Sequence, residues 1–232
     1  MINISTDWET TYPGAALGIL SMRSAHPEGK SLEFNAKRES LELVLREKYK
    51  SADRSMILDL PAMAAYAAYY KRFKKTYHLL LQLESVAKKN KPIPQTGPLV
   101  QAVFMAEMNS FLLTAGHDLD QIHGSIKLDV SKGNERYTPL RGEEVTCKRD
   151  DMVMSDSQSA ICSVIRGQDK RTMITQNTDN VLYVVYVPPG ILAKAIEDHL
   201  TDLTENVLLV SPQAQIDFQH VYYAKSPQPE DG

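Results

Sequence analysis

The chain has 232 residues, of which 43% are hydrophobic and 24% charged, with a formal net charge of −3 at pH 7. These are ordinary values for a globular chain with one sizeable core, and no apolar run approaches the length that spans a bilayer. The mild acidity argues against a surface that binds nucleic acid everywhere, while leaving room for a local basic face.

Cys147 and Cys162 are the two cysteines, and they fit neither a metal spacing nor a disulfide framework. A reduced, cytoplasmic compartment is expected. Met1 to Thr11 lacks a basic start followed by an apolar stretch, so no secretory signal is expected there.

Along the chain, Pro13-Gly14 turns into a strand over Ala15 to Met22, and Ala25 to Lys30 is a loop. Asn35 to Lys50 has helical spacing, with Leu41, Val44 and Leu45 on one face and Asn35 as the N-cap. Leu60 to Lys75 predicts a second helix with Pro61 in its first turn, and Thr76 to Asn90 a third. Pro92 and Pro94 break the pattern before a helix over Leu99 to Leu113, with Gly116 as its stop. The period then changes. Ser125 to Val130, Glu144 to Lys148, Met152 to Met154 and Ala160 to Ile165 predict short strands divided by Gly133, Gly142 and Gly167. Val181 to Val187 is apolar at every position except its tyrosines, which predicts a central strand. Ile191 to Leu203 predicts a helix, and Val207 to Val210 and Gln215 to Tyr223 closing strands. One α+β domain over residues 1–225 is expected, with a loose polar tail over 226–232.

Several segments together carry a resemblance. They are Pro98-Leu99-Val100, Asp118-Leu119-Asp120-Gln121-Ile122-His123-Gly124, the turn from Pro139 to Gly142, Met152 to Asp156, and Thr178-Asp179-Asn180-Val181-Leu182. In order and spacing they resemble the B3/B4 domain of the phenylalanyl-tRNA synthetase β subunit, here as a free-standing protein. The resemblance implies a β-rich core with helices inserted mainly in the N-terminal half. It also implies a site that binds the aminoacyl end of tRNA and, in the family, hydrolyses mischarged tyrosine.

Carried over residue by residue, that site is much altered. The family's editing glutamate falls at Val184, which cannot move a proton. Its histidine falls at Ala115, with His117 two residues away as the candidate catalytic residue. The alternative reading makes His117 a turn histidine bonded to nearby backbone. The paired glycines survive as Gly167 with Gln168, and Thr178 marks the turn before the central strand. On the Pro-Leu-Val helix, Gln101 and Phe104 stand where relatives carry Asp and Asn. Phe104, Ala115, Gly167, Gln168, Thr178 and Val184 are therefore the candidate substrate-binding residues. Hydrolysis is doubtful on this pattern, and a non-catalytic module for an amino-acid-like ligand or a protein is the alternative.

Two basic groups are candidate RNA contacts. Lys71, Arg72, Lys74 and Lys75 alternate with Tyr69, Tyr70, Phe73 and Tyr77, and the competing reading makes Tyr66, Tyr70, Phe73 and Tyr77 a core stripe beneath a solvated face. Arg166, Lys170 and Arg171 flank Gly167, as an anion-binding loop or an ordinary charged hairpin. Asp118, Asp120, Asp150, Asp151 and Asp156 read as turn residues. His117 and His123 lack zinc spacing, Gly14 to Gly18 lacks a phosphate-loop lysine, and Ser155 and Ser163 lack nucleophile-elbow glycines. No metal, cofactor or membrane partner is expected; tRNA or aminoacyl-tRNA is.

Overall fold

The computed structural model describes residues 2–29 and 31–225, so the expected tail over 226–232 lies outside the described residues. The first half contains β1 (Ile2–Ile4), α1 (Thr6–Thr11), β2 (Ala16–Arg23), α2 (Leu32–Tyr49), α3 (Arg54–Leu58), α4 (Pro61–Arg72), α5 (His78–Lys89) and α6 (Pro98–Ser110). The second contains β3 (Thr114–Asp118), β4 (Ile126–Val130), β5 (Arg136–Tyr137), β6 (Val145–Thr146), β7 (Met152–Ser155), β8 (Ala160–Ser163), β9 (Gly167–Gln168), β10 (Val181–Val187), α7 (Ala193–Val210) and β11 (Gln215–Tyr223). The fold is α+β, with six of these seven helices ahead of β3.

Two sheets carry the strands. One is antiparallel throughout, in the order β11-β2-β10-β3. The other runs β1-β4-β7-β8-β9, with β1 parallel to β4, and β5 and β6 form a separate hairpin. β10 is interior, paired with β2 on one side and β3 on the other, and all seven of its residues are buried. A strand covered on both faces needs apolar residues at successive positions, which is the pattern the sequence shows there.

The path into β3 departs from expectation. α6 stops at Ser110, not near Gly116, because Phe111 turns left-handed at φ 62°. Ser110 Oγ then donates to Ala106 O at 3.0 Å and accepts from Leu112 N at 3.1 Å, satisfying the helix end. Thr114 to Asp118 is consequently a strand, so Ala115 and His117 are sheet residues rather than turn residues. Gly116 sits in ordinary extended backbone under the Tyr183 ring. A Cβ there would meet Ile174 Cδ1 at 2.8 Å and the Tyr183 ring at 3.1 Å. Gly116→Ala is expected to destabilise the fold by about 1–3 kcal/mol through overpacking, read as a shifted urea midpoint.

Three smaller differences have equally local causes. α2 starts at Leu32, because Ser31 Oγ accepts from Phe34 N at 3.1 Å and supplies the cap that Asn35 was expected to provide. Its Val44 is exposed and Glu42 buried, where Glu42 accepts from Ile93 N at 2.9 Å and from Arg46 at 2.9 Å. Val207 to Val210 finish α7 instead of forming a strand, since Leu203, Val207 and Val210 continue one buried helical face. β1, α1 and α3 are too short to show a period in the sequence.

The aromatic residues of α4 and its following turn belong to the core. Tyr66, Tyr70 and Tyr77 are 0%, 4% and 1% exposed, and the Tyr66 and Tyr77 rings stack 4.5 Å apart. They are closed to nucleic-acid bases. Lys71, Arg72, Lys74 and Lys75 remain exposed, with the Arg72 guanidinium lying 5.2 Å over the Tyr12 ring.

Candidate functional site

A cavity of about 630 Å³ opens between α6, the β3–β10 pair and the β8–β9 turn. On α6 its wall is Val100, Val103, Phe104 and Glu107, which helical spacing places on one face. Ala115, Cys162 and Tyr186 form the sheet side, and Lys75, Arg141, Arg166 and Gly167 also line it. Lys75, Arg141 and Gly167 are exposed and mark the rim.

Four of the six candidate substrate residues meet here: Phe104, Ala115, Gly167 and Gln168. Gly167 needs its positive φ of 88°, which a side chain would strain, and Gln168 Nε2 donates to Gly116 O at 2.5 Å, joining β9 to β3. The other two lie off the wall. Val184 pairs with Ala115 but is fully buried within the sheet. Thr178 donates to Asp118 Oδ2 at 2.6 Å and accepts from Thr175 N at 2.9 Å, pinning its loop to the end of β3.

His117 is also off the wall. It is 0% exposed, with Nδ1 2.7 Å from Thr172 Oγ1. Thr172 gives its one hydroxyl proton to Asp169, so His117 Nδ1 must carry the hydrogen that it shares with Thr172. Nε2 is left as a buried lone pair with no partner among the described residues. Burial pushes His117 down to about 3, with the Arg171 charge adding to the effect. A neutral histidine enclosed on β3, away from the cavity wall, has no path to a ligand there.

The basic candidates divide in the same way. Lys75 and Arg166 reach the wall. Lys75 Nζ donates to Ile165 O at 3.0 Å, and burial followed by the Arg166 charge holds its pKa below the usual value. Lys71, Arg72, Lys74 and Lys170 stand on the surface away from the wall. Arg171 is engaged internally, donating to Gln121 O at 2.7 Å and Asp156 Oδ2 at 2.9 Å.

The residue that motif reading missed is Glu107. Its side chain is buried, Oε1 accepts from Thr114 N at 2.8 Å, and no cation pairs with it among the described residues. Burial pushes its pKa up to about 8, only partly offset by that hydrogen bond. The available signal was an acid seven residues after Val100 on the apolar stripe, a position where an unpaired charge is expensive. Thr114 itself donates its hydroxyl towards His199 Nε2 at 2.8 Å. His199 Nδ1 lies 2.7 Å from Ser110 Oγ, and burial pushes it down to about 4.

A second buried acid supports the β8 side. Asp151 is 0% exposed and accepts from Tyr69 at 2.5 Å, Ile165 N at 3.0 Å and the Ser163 hydroxyl. Burial pushes it up to about 6 against those hydrogen bonds. Among the described residues no group of three His, Cys, Asp or Glu side chains is placed to hold a metal. No described helix is long and apolar enough to cross a membrane.

A family model described as the B3/4 domain matches residues 63–210, more than half of the chain. The chain therefore belongs to the B3/4 domain family. Every residue of the cavity wall falls inside that match. Over 69 residues it is 36% identical to the β subunit of phenylalanine–tRNA ligase from Mycoplasma pneumoniae, a match covering 30% of this chain and 9% of that protein. The chain thus spans a small part of that relative's length. An N-terminal fragment of the phenylalanyl-tRNA synthetase β subunit from Pyrococcus horikoshii aligns over 95% of this chain and 53% of its own, at 13% identity and a TM-score of 0.48.

Proposed function

We propose that the chain binds the aminoacyl end of a tRNA, seating the aminoacyl group in the cavity and the terminal phosphates on Lys75, Arg141 and Arg166. The observation that carries this is one opening with an apolar wall of Val100, Val103 and Phe104 and a basic rim. Lys75 and Arg166 repel each other there, and an anion between them relieves that repulsion. Membership of the B3/4 family and the likeness to a tRNA ligase subunit support an RNA partner. Lys71 and Lys74 extend the basic surface along and beyond α4.

Binding, rather than hydrolysis, is what the residues support. Val184 offers no acid or base, and His117 is enclosed. A reduced cytoplasmic setting suits two buried free thiols. The same apolar wall also supports a second reading, a module for a free amino-acid-like ligand.

Removing the rim charges with Lys75→Ala and Arg166→Ala together separates these readings. Under tRNA binding, affinity is expected to fall about tenfold at moderate salt, and the slope of log K against log salt to drop by about 1 to 2. An unchanged slope, with undiminished binding of free amino acids, favours the second reading.

A further inference from the structure

Besides Arg166 Nε, the cavity holds two polar side chains whose hydrogen-bonding capacity goes unused among the described residues. Glu107 spends one oxygen on Thr114 N and has no cationic partner among the described residues. The Tyr186 hydroxyl is buried with no hydrogen-bonding nitrogen or oxygen among the described residues, and the Cys162 thiol lies beside it. Buried polar groups are normally satisfied, and those that are not need an explanation. Here both face a space large enough for a ligand.

We infer that Glu107 reads a ligand's amino group, so that the cavity selects molecules with a free amine over their N-acylated counterparts. This deepens the aminoacyl reading and rests on it. The groups facing Glu107 supply no positive charge of their own. They are Thr114 N from β3, the Tyr66 and Tyr70 phenols from α4, and Tyr77 from the turn before α5, all three phenols buried. His199 lies beyond Thr114 and is held neutral by burial. An amine entering the cavity forms a carboxylate–ammonium pair with Glu107. One proton is shared between them whichever partner brought it in, so no other acid or base is needed. An acylated nitrogen cannot accept that proton, and it leaves the carboxyl facing an amide.

The remaining geometry limits the ligand further. The amine sits at α6, hydrocarbon packs along Val100, Val103 and Phe104, and the anionic part faces Lys75 and Arg166. An α-aminoacyl ester on a polynucleotide end has those three parts, the amine and the side chain on one carbon and the phosphates beyond the ester. A peptidyl or formylated end lacks the first.

The test compares one tRNA in three forms, aminoacylated, N-acetyl-aminoacylated and deacylated, with wild-type protein and with Glu107→Gln. Glutamine keeps an oxygen for Thr114 N, which favours retention of the fold. The expected result is a preference of about tenfold or more for the free-amine form over the acetylated one in wild type, lost in Glu107→Gln. Equal affinity for the aminoacyl and N-acetyl-aminoacyl forms overturns the inference, and needs no variant to be seen. If both still exceed the deacylated form, the aminoacyl site stands and only the role of Glu107 falls. If all three forms bind alike, both fall.

Discussion

Glu107→Gln is expected to gain about 3 kcal/mol of folding stability on the wild type as the pH is raised from 5 to 8. The sign follows from the direction of the shift. Burial raises the folded-state pKa from 4.5 to about 8, so the folded protein holds this proton more tightly than the unfolded chain does. The stabilisation is complete below the unfolded value. It drains away at about 1.4 kcal/mol per pH unit as pH rises towards the folded value. Glutamine has no proton to lose and lacks this slope.

The difference between the two proteins is the proper readout, because other buried groups titrate in the wild type as well, the histidines against Glu107 and Asp151 with it. His117 and His199, lowered to about 3 and about 4, lose stability as pH falls below 6.5. Asp151, raised to about 6, gains it. Urea denaturation of both proteins at pH 5, 6.5 and 8 measures the gap. A gap that stays constant within about 0.5 kcal/mol contradicts a buried, uncompensated carboxyl.

Asp151→Ala is expected to cost about 3–5 kcal/mol, a larger loss than that of Gly116→Ala. Three donors converge on this carboxylate: the Tyr69 phenol, the Ser163 hydroxyl and the Ile165 amide. Alanine strands all of them in a region closed to water. Tyr69 also accepts from Met152 N at 2.7 Å, so its displacement disturbs the start of β7 as well. Asp151→Asn turns one acceptor into a donor and is expected to fall between alanine and wild type. The effect reaches the cavity, since Ser163, Val164 and Ile165 are part of its wall. Ligand affinity is therefore expected to fall together with the denaturation midpoint. A loss below about 1 kcal/mol for alanine contradicts this account of the β8 side.

Much of this arrangement is legible in the sequence, and particular residues show where legibility stops. β10 is visible because Val181 to Val187 is apolar enough to be covered on both faces. The α6 stripe is visible because its residues repeat at helical spacing. The end of α6 is not, since Phe111 takes a positive φ that nothing about a phenylalanine announces, while Gly116 looks like the stop. That single difference moves His117 from a turn into a strand and encloses it. Val207 to Val210 shows the other common ambiguity, a short apolar run that suits helix or strand alike.

At the site, the family's spacing led to Phe104, Ala115, Gly167 and Gln168, which line one cavity. It led also to Val184 and Thr178, which the sheet and the loop absorb. Motif position records where relatives keep functional groups, not which positions of a strand face stay uncovered: Val184 shares its face with Ala115 and Tyr186, yet only those two reach the cavity. Glu107 lies outside every motif and was open only to an argument from burial: an acid on the apolar face of α6. The pairing of Lys75 with Arg166 depends on tertiary packing, through the bond from Lys75 to Ile165 O, and no local pattern reveals it. Asp151 read as a turn residue because it follows Asp150 at a corner. Its function as a buried acceptor appears only once α4 is laid against β8.

The central claim is that the cavity receives the aminoacyl group. Its most direct test is the affinity of one tRNA with and without its amino acid, for wild type and for Ala115→Leu, which places a larger side chain in the wall. The aminoacylated form is expected to bind wild type at least about tenfold more tightly. Ala115→Leu is expected to erase that preference while leaving the affinity for the deacylated form unchanged. Equal affinity of wild type for the two forms contradicts the claim.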